Sequence, residues 1–299
     1  MSSPLVISIV LNNNHCEDTL QCLNSLYQNT YENHKIILLD NASIDGTVKA
    51  VRSLLPGVQI IELENNLGYA GNNNIGIQAA MEQGADWLFI LNDDTILSQD
   101  CISNLVTVGE SDPTIGIIGP MVYHHNEPDI IQSAGGRVDR YLRGWHLGQN
   151  ELDQGQYQQP YPVEWISGCG IMVRRAVIEQ VGAFDQRFFL YVEEFDFCLR
   201  ASKAGWHIMN VPKAKLWHKG VQRDYQPKPS VTYYATRNHL LFLLKYHASP
   251  TTWIVNIGLF LRTLISWTIK PKWRDKREER NAMWHGLVDF LVHRWGQMP

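Results

Sequence analysis

Through the first third of the chain, short apolar runs alternate with amphipathic stretches and polar loops. The run LVISIVL (5–11) is short and β-branched, and DTLQCLNSLYQ after it sets Leu20, Leu23, Leu26 and Tyr27 at helical spacing. The alternation continues with KIILLD (35–40), a helix over 47–55, VQIIEL (58–63), a helix over 72–83 and WLFIL (87–91). Four short apolar strands separated by helices predict a largely parallel sheet covered on both faces. From about 112 to 165 the periodicity weakens among Gly, Pro, Gln and His, and irregular structure with short strands is expected. Order returns with VEWISGCGIMVRR, a helix near 175–181, and a strand or turn leading into a helix over about 193–204. A helical region over about 230–247 follows. Residues 252–270 are the most hydrophobic helix candidate, and KPKWRDKREER (270–280) reads as a charged linker.

Each early strand ends in a polar loop: LNNN, DNASIDGT, ENNLGYAGNNN and NDDT. In open α/β sheets ligands sit beyond the carboxyl ends of the strands, where helix N-termini and loop amides converge. A chain of 299 residues buries a substantial core, and a formal charge of −4 gives no global electrostatic reason to bind nucleic acid. Five cysteines without a CxxC pair suggest neither a zinc knuckle nor a disulfide framework, and are expected to be reduced and mostly packed. The N-terminus has no basic stretch before its apolar run, which is wrong for a secretory signal, so a cytoplasmic location is expected.

Several residues in these loops carry chemistry. Two adjacent carboxylates, Asp93 and Asp94, suit a hard divalent cation that also takes substrate phosphates; the same stretch suits a turn or helix cap, and taken alone the turn is slightly favoured. Asp40 and Asn41 can accept from and donate to a nucleobase or ribose, whereas Ser43, Asp45 and Thr47 read as an Asx turn capping the next helix. Gly68, Gly71 and Gly76 match neither a GxGxxG fingerprint nor a Walker loop. Glu193, Glu194 and Asp196 fall in the first turn of a predicted helix, where the dipole favours the ionised form that a general base needs. Asp196 and Arg200 are also an i, i+4 pair. His218 taken alone reads as a packing residue, and Arg237 either braces phosphate or snorkels from a helix.

Taken in order, LLDNASIDGT, NNLGYAGNNNIGI, LNDDT, WISGCGIMVRR, GAFDQRFFLYVEEFDFCLRASKAGW, LWHKG and YYATRNHLLF resemble glycosyltransferase family 2, particularly its rhamnosyltransferase-like branch. The match covers roughly 5–245 and extends weakly into MWHGLVDFLVHRWG. The resemblance implies a GT-A fold (Rossmann-like, a mostly parallel sheet with helices on both faces), a nucleotide-diphosphate-sugar donor, Mg2+ or Mn2+, and inversion at the anomeric carbon. It implies Asp94 and His218 as metal ligands, and Asn12, Asp40, Asn41, Asn66, Gly71, Asn74, Asn92, Asp93 and Arg237 on the donor. Asn92 stands where the family pattern has its first Asp. Glu194 matches the second acid of the paired-acid motif and is the expected base, with Glu193 and Asp196 as the other candidates. Trp165 and Gly168 are expected on the acceptor side, although a core tryptophan is at least as reasonable for Trp165.

A catalytic domain over 1–245, with a donor half to about 110 and an acceptor half to 245, and a helical basic tail over 246–299 follow as the expected division. The expected activity is metal-dependent transfer to a glycan or lipid-linked acceptor in surface polysaccharide synthesis, with dTDP-rhamnose the preferred donor and UDP- or GDP-hexoses the alternative. A sugar nucleotidyltransferase is disfavoured by the absence of a Gly-rich, Arg-containing phosphate loop after the first strand. A silent glycan- or nucleotide-binding protein is disfavoured by the joint presence of Asp93, Asp94, Glu193 and Glu194. In the tail, Asn256 and Arg262 argue against a span over 253–270. A peripheral contact through 253–280 at the inner face of the cell membrane and simple packing on the catalytic domain weigh equally.

Overall fold

The computed structural model describes residues 3–299. Its first part alternates as expected: β1 (Val6–Asn12), α1 (Cys16–Tyr27), β2 (His34–Asp40), α2 (Thr47–Leu54), β3 (Gln59–Glu62), α3 (Gly68–Glu82) and β4 (Trp87–Asn92). β1 pairs in parallel with both β2 and β4, and β2 with β3. Side chains of these strands alternate between two cores. Val6, Val10, Leu38 and Phe89 face α1, whereas Ile7, Ile9, Leu39 and Ile90 face α3, so the strands read as unbroken apolar runs.

The chain continues through β5 (Thr95–Leu97), α4 (Cys101–Gly109), β6 (Ile115–His124), β7 (Glu127–Ser133), β8 (Gly136–Val138), β9 (Gly144–His146), β10 (Tyr161–Pro162), β11 (Gly170–Arg174), α5 (Arg175–Val181), α6 (Glu193–Lys203) and β12 (His207–His218). It closes with α7 (Pro229–Lys245), α8 (Pro250–Ile269) and α9 (Arg277–Leu291). The sheet runs β10-β12-β6-β11-β4-β1-β2-β3, with β5 on β12 and β7 on β6. β11 is antiparallel to β4 and β6, so the second half of the sheet is mixed.

Four expectations are corrected. The middle of the chain is not merely irregular: β6 is a ten-residue strand buried throughout. Gly116, Gly119 and Pro120 disguise it. Pro120 is tolerated because β12 bulges opposite it, the register stepping from Val211↔Pro120 to Lys215↔Met121, so no ladder amide is missed. α3 begins at Gly68, four residues before the predicted start, and Tyr27 on α1 is exposed. The charged linker is a 3-10 turn (Pro271–Lys276) running into α9, tied by a Lys276–Glu279 bond of 2.8 Å. The five cysteines are free thiols, four of them buried.

α7 bears on everything near the acids of α6. Asn238 Nδ2 donates to the carbonyls of Phe188, Leu190 and Tyr191 at 2.7, 2.7 and 2.8 Å. Arg237, fully buried, donates to the carbonyls of Phe188 at 3.1 Å and Gly296 at 2.7 Å, and lies 5.2 Å from the ring centres of Tyr233 and Tyr234. The segment they grip holds Phe189, Tyr191 and Val192 at φ of 63, 67 and 77°. Such a conformation costs about 1–3 kcal/mol per residue and persists only where neighbours over-determine it. Hydrogen bonds from a charged donor are worth about 1.5–3 kcal/mol each. Arg237→Ala is therefore expected to lower the unfolding free energy by about 3 kcal/mol or more; a urea titration with a loss below about 1 kcal/mol would contradict this role for the clamp.

Candidate active site

Asn12 closes β1 with every side-chain atom engaged. Its Nδ2 donates to Asp40 Oδ1 at 2.7 Å and Ser43 Oγ at 2.9 Å, while its Oδ1 accepts from the Thr19 hydroxyl at 3.0 Å and the His15 amide at 3.2 Å. Asn12 thus orients Asp40, whose other oxygen accepts the Ser43 amide at 3.0 Å. Beside them the Oδ1 of Asn41 is buried without a partner, an acceptor left for something outside the chain. Asp45 accepts from the amide and hydroxyl of Thr47 at 3.1 and 2.6 Å, the turn its sequence suggests.

In the next loop Asn66 Oδ1 accepts the Gly68 amide at 2.9 Å. Gly68 has φ of 73°, and a side-chain carbon there would overlap the carbonyl and ring of Phe189. Gly71 packs against Leu67, and Asn74 clamps the Phe184 backbone with both amide atoms, at 2.8 and 3.0 Å. Asn74 is therefore occupied in fixing this loop to the segment before α6, which corrects its expected direct contact with a donor.

The end of β4 brings the acids of NDDT to His218. β5 starts at Thr95, directly after Asp94, and pairs with the end of β12 so that Thr95 lies opposite His218. His218 Nε2 is 3.2 Å from Asp94 Oδ1, outside hydrogen-bonding geometry, and that oxygen is buried with no hydrogen-bond partner. Asn92 Nδ2 is 3.5 Å from the same nitrogen. On the far side of the ring, Nδ1 donates to Gln132 Oε1 at 2.9 Å, since the Gln132 Nε2 donates to the Val221 carbonyl at 2.7 Å. Gln132 thus fixes the tautomer with the proton on Nδ1, in which Nε2 presents its lone pair toward Asp94. A side-chain carbon at Gly220 would overlap Asp94 Oδ2, so glycine keeps this corner open. Asp93 turns the other way, its Oδ2 at 3.1 Å from His15 Nδ1.

Burial pushes Asp93 up to about 6, and the charge of Asp94 adds to it. Burial also acts to raise Asp94, but the His218 contact outweighs it and holds that carboxyl below its ordinary value. Among the described residues no three His, Cys, Asp or Glu side chains gather at one point. An ion here would thus take Asp94 and His218 and complete its shell from substrate phosphates and water, as Mg2+ and Mn2+ commonly do. The orphaned Asp94 oxygen, the imidazole lone pair and the space kept by Gly220 fit such an ion.

The second acidic centre opens α6. Glu193 is buried, and Glu194 reaches a groove of about 670 Å³ lined also by Trp165, Tyr191, Arg143, Thr236 and His239. Each glutamate has an Oε2 that is buried and unpartnered. Burial pushes Glu194 up to about 7 against the pull of the helix-start amides, and drives Glu193 well up, with the Glu194 charge adding to it. The expectation that the helix terminus keeps both ionised is thus corrected: desolvation outweighs the dipole. Both centres act on Cys169, whose thiol is pushed to about 12 by burial first, with Asp94 and Glu194 adding to the rise. Gly168 precedes it, its carbonyl accepting the Tyr69 hydroxyl at 2.5 Å. Trp165 walls the groove with its ring 4.6 Å from His146 and its Nε1 donating to the Arg137 carbonyl at 3.2 Å.

Two further expectations are corrected. Asp196 is fully buried and bound to Arg200 at 2.9 Å, Lys245 at 2.7 Å and the Tyr246 hydroxyl at 2.9 Å, so it is a structural ion pair and not a free base. Arg237 spends its donors on the Phe188 and Gly296 carbonyls, Asn238 Oδ1 and the Tyr233 hydroxyl, and has none directed at the strand ends that hold Asp40 and Asp94. His15, Gln132 and Gly220 were not foreseen. The polar run NNNH after β1 hints at the first; nothing in the local sequence marks the other two.

A family profile described as glycosyl transferase family 2 matches residues 6–182. An N-acetylglucosaminyl-diphospho-decaprenol L-rhamnosyltransferase of Mycobacterium tuberculosis is 30% identical over 253 residues, covering 76% of this chain and 81% of that protein. The dTDP-rhamnosyl transferase RfbF of Shigella flexneri is 25% identical, covering 85% and 86% respectively. Among solved structures, the mannosyltransferase PcManGT from Pyrobaculum calidifontis, in complex with GDP-Man and Mn2+, superposes with a TM-score of 0.62 at 16% identity, over 98% of this chain and 88% of that one. That likeness bears on the fold, which is GT-A.

The strained titration of α6 has a stability consequence. A carboxyl whose folded pKa lies above its unfolded one costs nothing at low pH and destabilises increasingly as pH rises through the folded value. Glu193→Gln is expected to melt several degrees above the parent at pH 8 and together with it at pH 4. Equal melting at both pH values would show that Glu193 is not held protonated by burial.

Proposed function

Because the chain belongs to glycosyltransferase family 2, we propose that this glycosyltransferase moves rhamnose from dTDP-rhamnose, with inversion and with Mg2+ or Mn2+, onto a lipid-linked glycan acceptor in surface polysaccharide synthesis. The observation that carries the reading is the pair of acidic centres with unpartnered buried oxygens: an open carboxylate–imidazole corner at Asp94 and His218, and the Glu194 carboxyl at the wall of the groove. The rhamnosyltransferase relatives support the sugar, and the printed substrate of the mycobacterial relative supports a lipid-linked acceptor.

The donor half, to about 110, carries Asp40 and Asn41 for the nucleoside, with Asn12 and Asn66 shaping their loops. Asp94 and His218 would hold the cation, with Asn92 and Asp93 beside them. A bound divalent cation offsets the charge that develops on the departing diphosphate. The acceptor half, 111–245, supplies Glu194, which takes the proton of the acceptor hydroxyl as that oxygen attacks from the face opposite the diphosphate. Its elevated pKa makes it a stronger base once ionised, and protonated Glu193 spares it a second charge next door. Trp165 offers a flat wall for a sugar ring in the same groove. Residues 246–299 form the tail, whose basic stretch at 270–280 supports a peripheral contact at the cytoplasmic membrane face.

Donor turnover across dTDP-, UDP- and GDP-sugars, with Mn2+ and with EDTA, tests the reading. Expected are a preference for dTDP-rhamnose, loss of turnover in EDTA, and kcat/KM that rises as pH passes about 7 and Glu194 ionises. Glu194→Gln is expected to lose about 10²- to 10⁴-fold and Glu193→Gln far less. Full activity in EDTA would remove the metal; the reverse ranking of the two variants would transfer the base role to Glu193; preference for a UDP- or GDP-hexose would replace the donor.

A further inference from the structure

The groove that holds Glu194 does not end at the catalytic domain. Phe260 lines it and also lines a second hollow of about 350 Å³, walled by Trp253 and Ile257 of α8 and Leu287 of α9. Leu261 and Trp284 line that hollow and a third, of about 440 Å³, which continues along Leu264, Ile265 and Ile269. From Leu261 to Ile269 the helix advances about 12 Å at 1.5 Å per residue. Leu261 is 48% and Trp284 57% exposed, and no described element covers them. α8 is long and apolar enough to cross a bilayer by length and composition. Yet its first turns are pinned to the domain, Asn256 donating to the Tyr141 carbonyl at 3.0 Å and accepting from His239 at 2.9 Å.

The lining changes character along this line. At the Glu194 end stand Arg143, His239 and Thr236; beyond Phe260 the second hollow is walled by apolar side chains alone, and the third adds Thr268, Arg280, Asn281 and His285 to an apolar majority along Leu261, Leu264, Ile265, Ile269 and Trp284. Arg143 forks onto Asp139 through Nε and Nη2 at 2.8 and 2.6 Å, and its Nη1 has no hydrogen-bond partner among the described residues. We infer that these three hollows seat one lipid-linked acceptor: its sugar at Glu194, its diphosphate by Arg143, and its isoprenoid chain in the cleft between α8 and α9. Hollows arranged in single file suit one long hydrocarbon chain better than the paired chains of a bilayer lipid, and a polar head joined to an apolar tail matches the change in lining. The inference rests on the lipid-linked reading above and adds where the tail lies.

The test is photolabelling of the full chain with benzophenone-tagged farnesyl diphosphate, followed by peptide mapping, with donor hydrolysis measured on the same preparation. Expected is saturable label within 257–269 or 284–291, competed by farnesyl diphosphate and not by inorganic diphosphate. Leu261→Glu, at a half-exposed site and checked by its melting temperature, is expected to cut labelling at least tenfold. Label that is scattered, or that farnesyl diphosphate fails to displace, overturns the seat. So does gel filtration in which Leu261→Glu converts a dimer to a monomer without changing the label, since the cleft would then serve a second copy. Failure of labelling with donor hydrolysis intact sinks this inference alone, whereas saturable labelling without hydrolysis of any sugar nucleotide leaves the seat and removes the glycosyl-transfer reading.

Discussion

The grip of Arg237 and Asn238 on the carbonyls of 188–191 is the constraint on which the rest of the site depends. Three consecutive or near-consecutive residues with side chains adopt left-handed backbone there, including the β-branched Val192 that immediately precedes Glu193. No local preference favours that path, so it exists only because α7 supplies donors for carbonyls that would otherwise be buried and unpaired. The same turn offers the Phe189 carbonyl to the Ala70 amide at 3.2 Å and leaves Gly68 no room for a side chain. One clamp thereby sets the start of α6, the start of α3 and, through Gly296, the return of the C-terminus.

Around this frame, acids of identical chemistry acquire different characters from their surroundings. Asp196 is neutralised by two cations; the His218 contact holds Asp94 below its ordinary value; Asp93 and Glu194 are displaced upward by burial; Glu193 is driven well up by burial with the Glu194 charge adding to it. Dissimilar environments for neighbouring carboxyls are how one fold separates a cation-holding group from a proton-accepting one. Three of the buried oxygens left without a partner belong to these acids, one each on Asp94, Glu193 and Glu194, while others sit on the amides of Asn41, Asn73 and Asn210.

Much of this was legible from sequence, for reasons that differ by element. β1 to β4 and their helices show through because two-sided burial writes uninterrupted apolar runs bounded by polar loops. β6 was hidden because its Pro120 is legal only opposite a bulge in β12, a partner far along the chain. NDDT and YVEEFD stood out as acids where a strand or helix changes direction. Arg237 reads as a phosphate brace because charge alone does not say what it faces; its long-range partners are backbone carbonyls, which every sequence possesses. Gln132 and Gly220 escaped for the same reason, since their importance comes from lying beside His218 and Asp94 only after β5, β7 and β12 have met.

The meeting of Asp94 and His218 is made by main-chain ladder rather than by loop closure: Thr95 faces His218 across β5 and β12, and the Lys219 amide donates to the Asp94 carbonyl at 3.0 Å. Side chains on a strand alternate between faces, so the spacing between the bulge and His218 cannot change by even one residue without turning the imidazole to the wrong side. Val221 and Gln222 are still tied to that corner, through Gln132 and the His218 carbonyl, but the chain beyond Gln222 is outside the pairing. A change of length between Gln222 and Pro227 would therefore reshape the wall of the Glu194 groove that Pro227 lines and leave the Asp94–His218 corner standing.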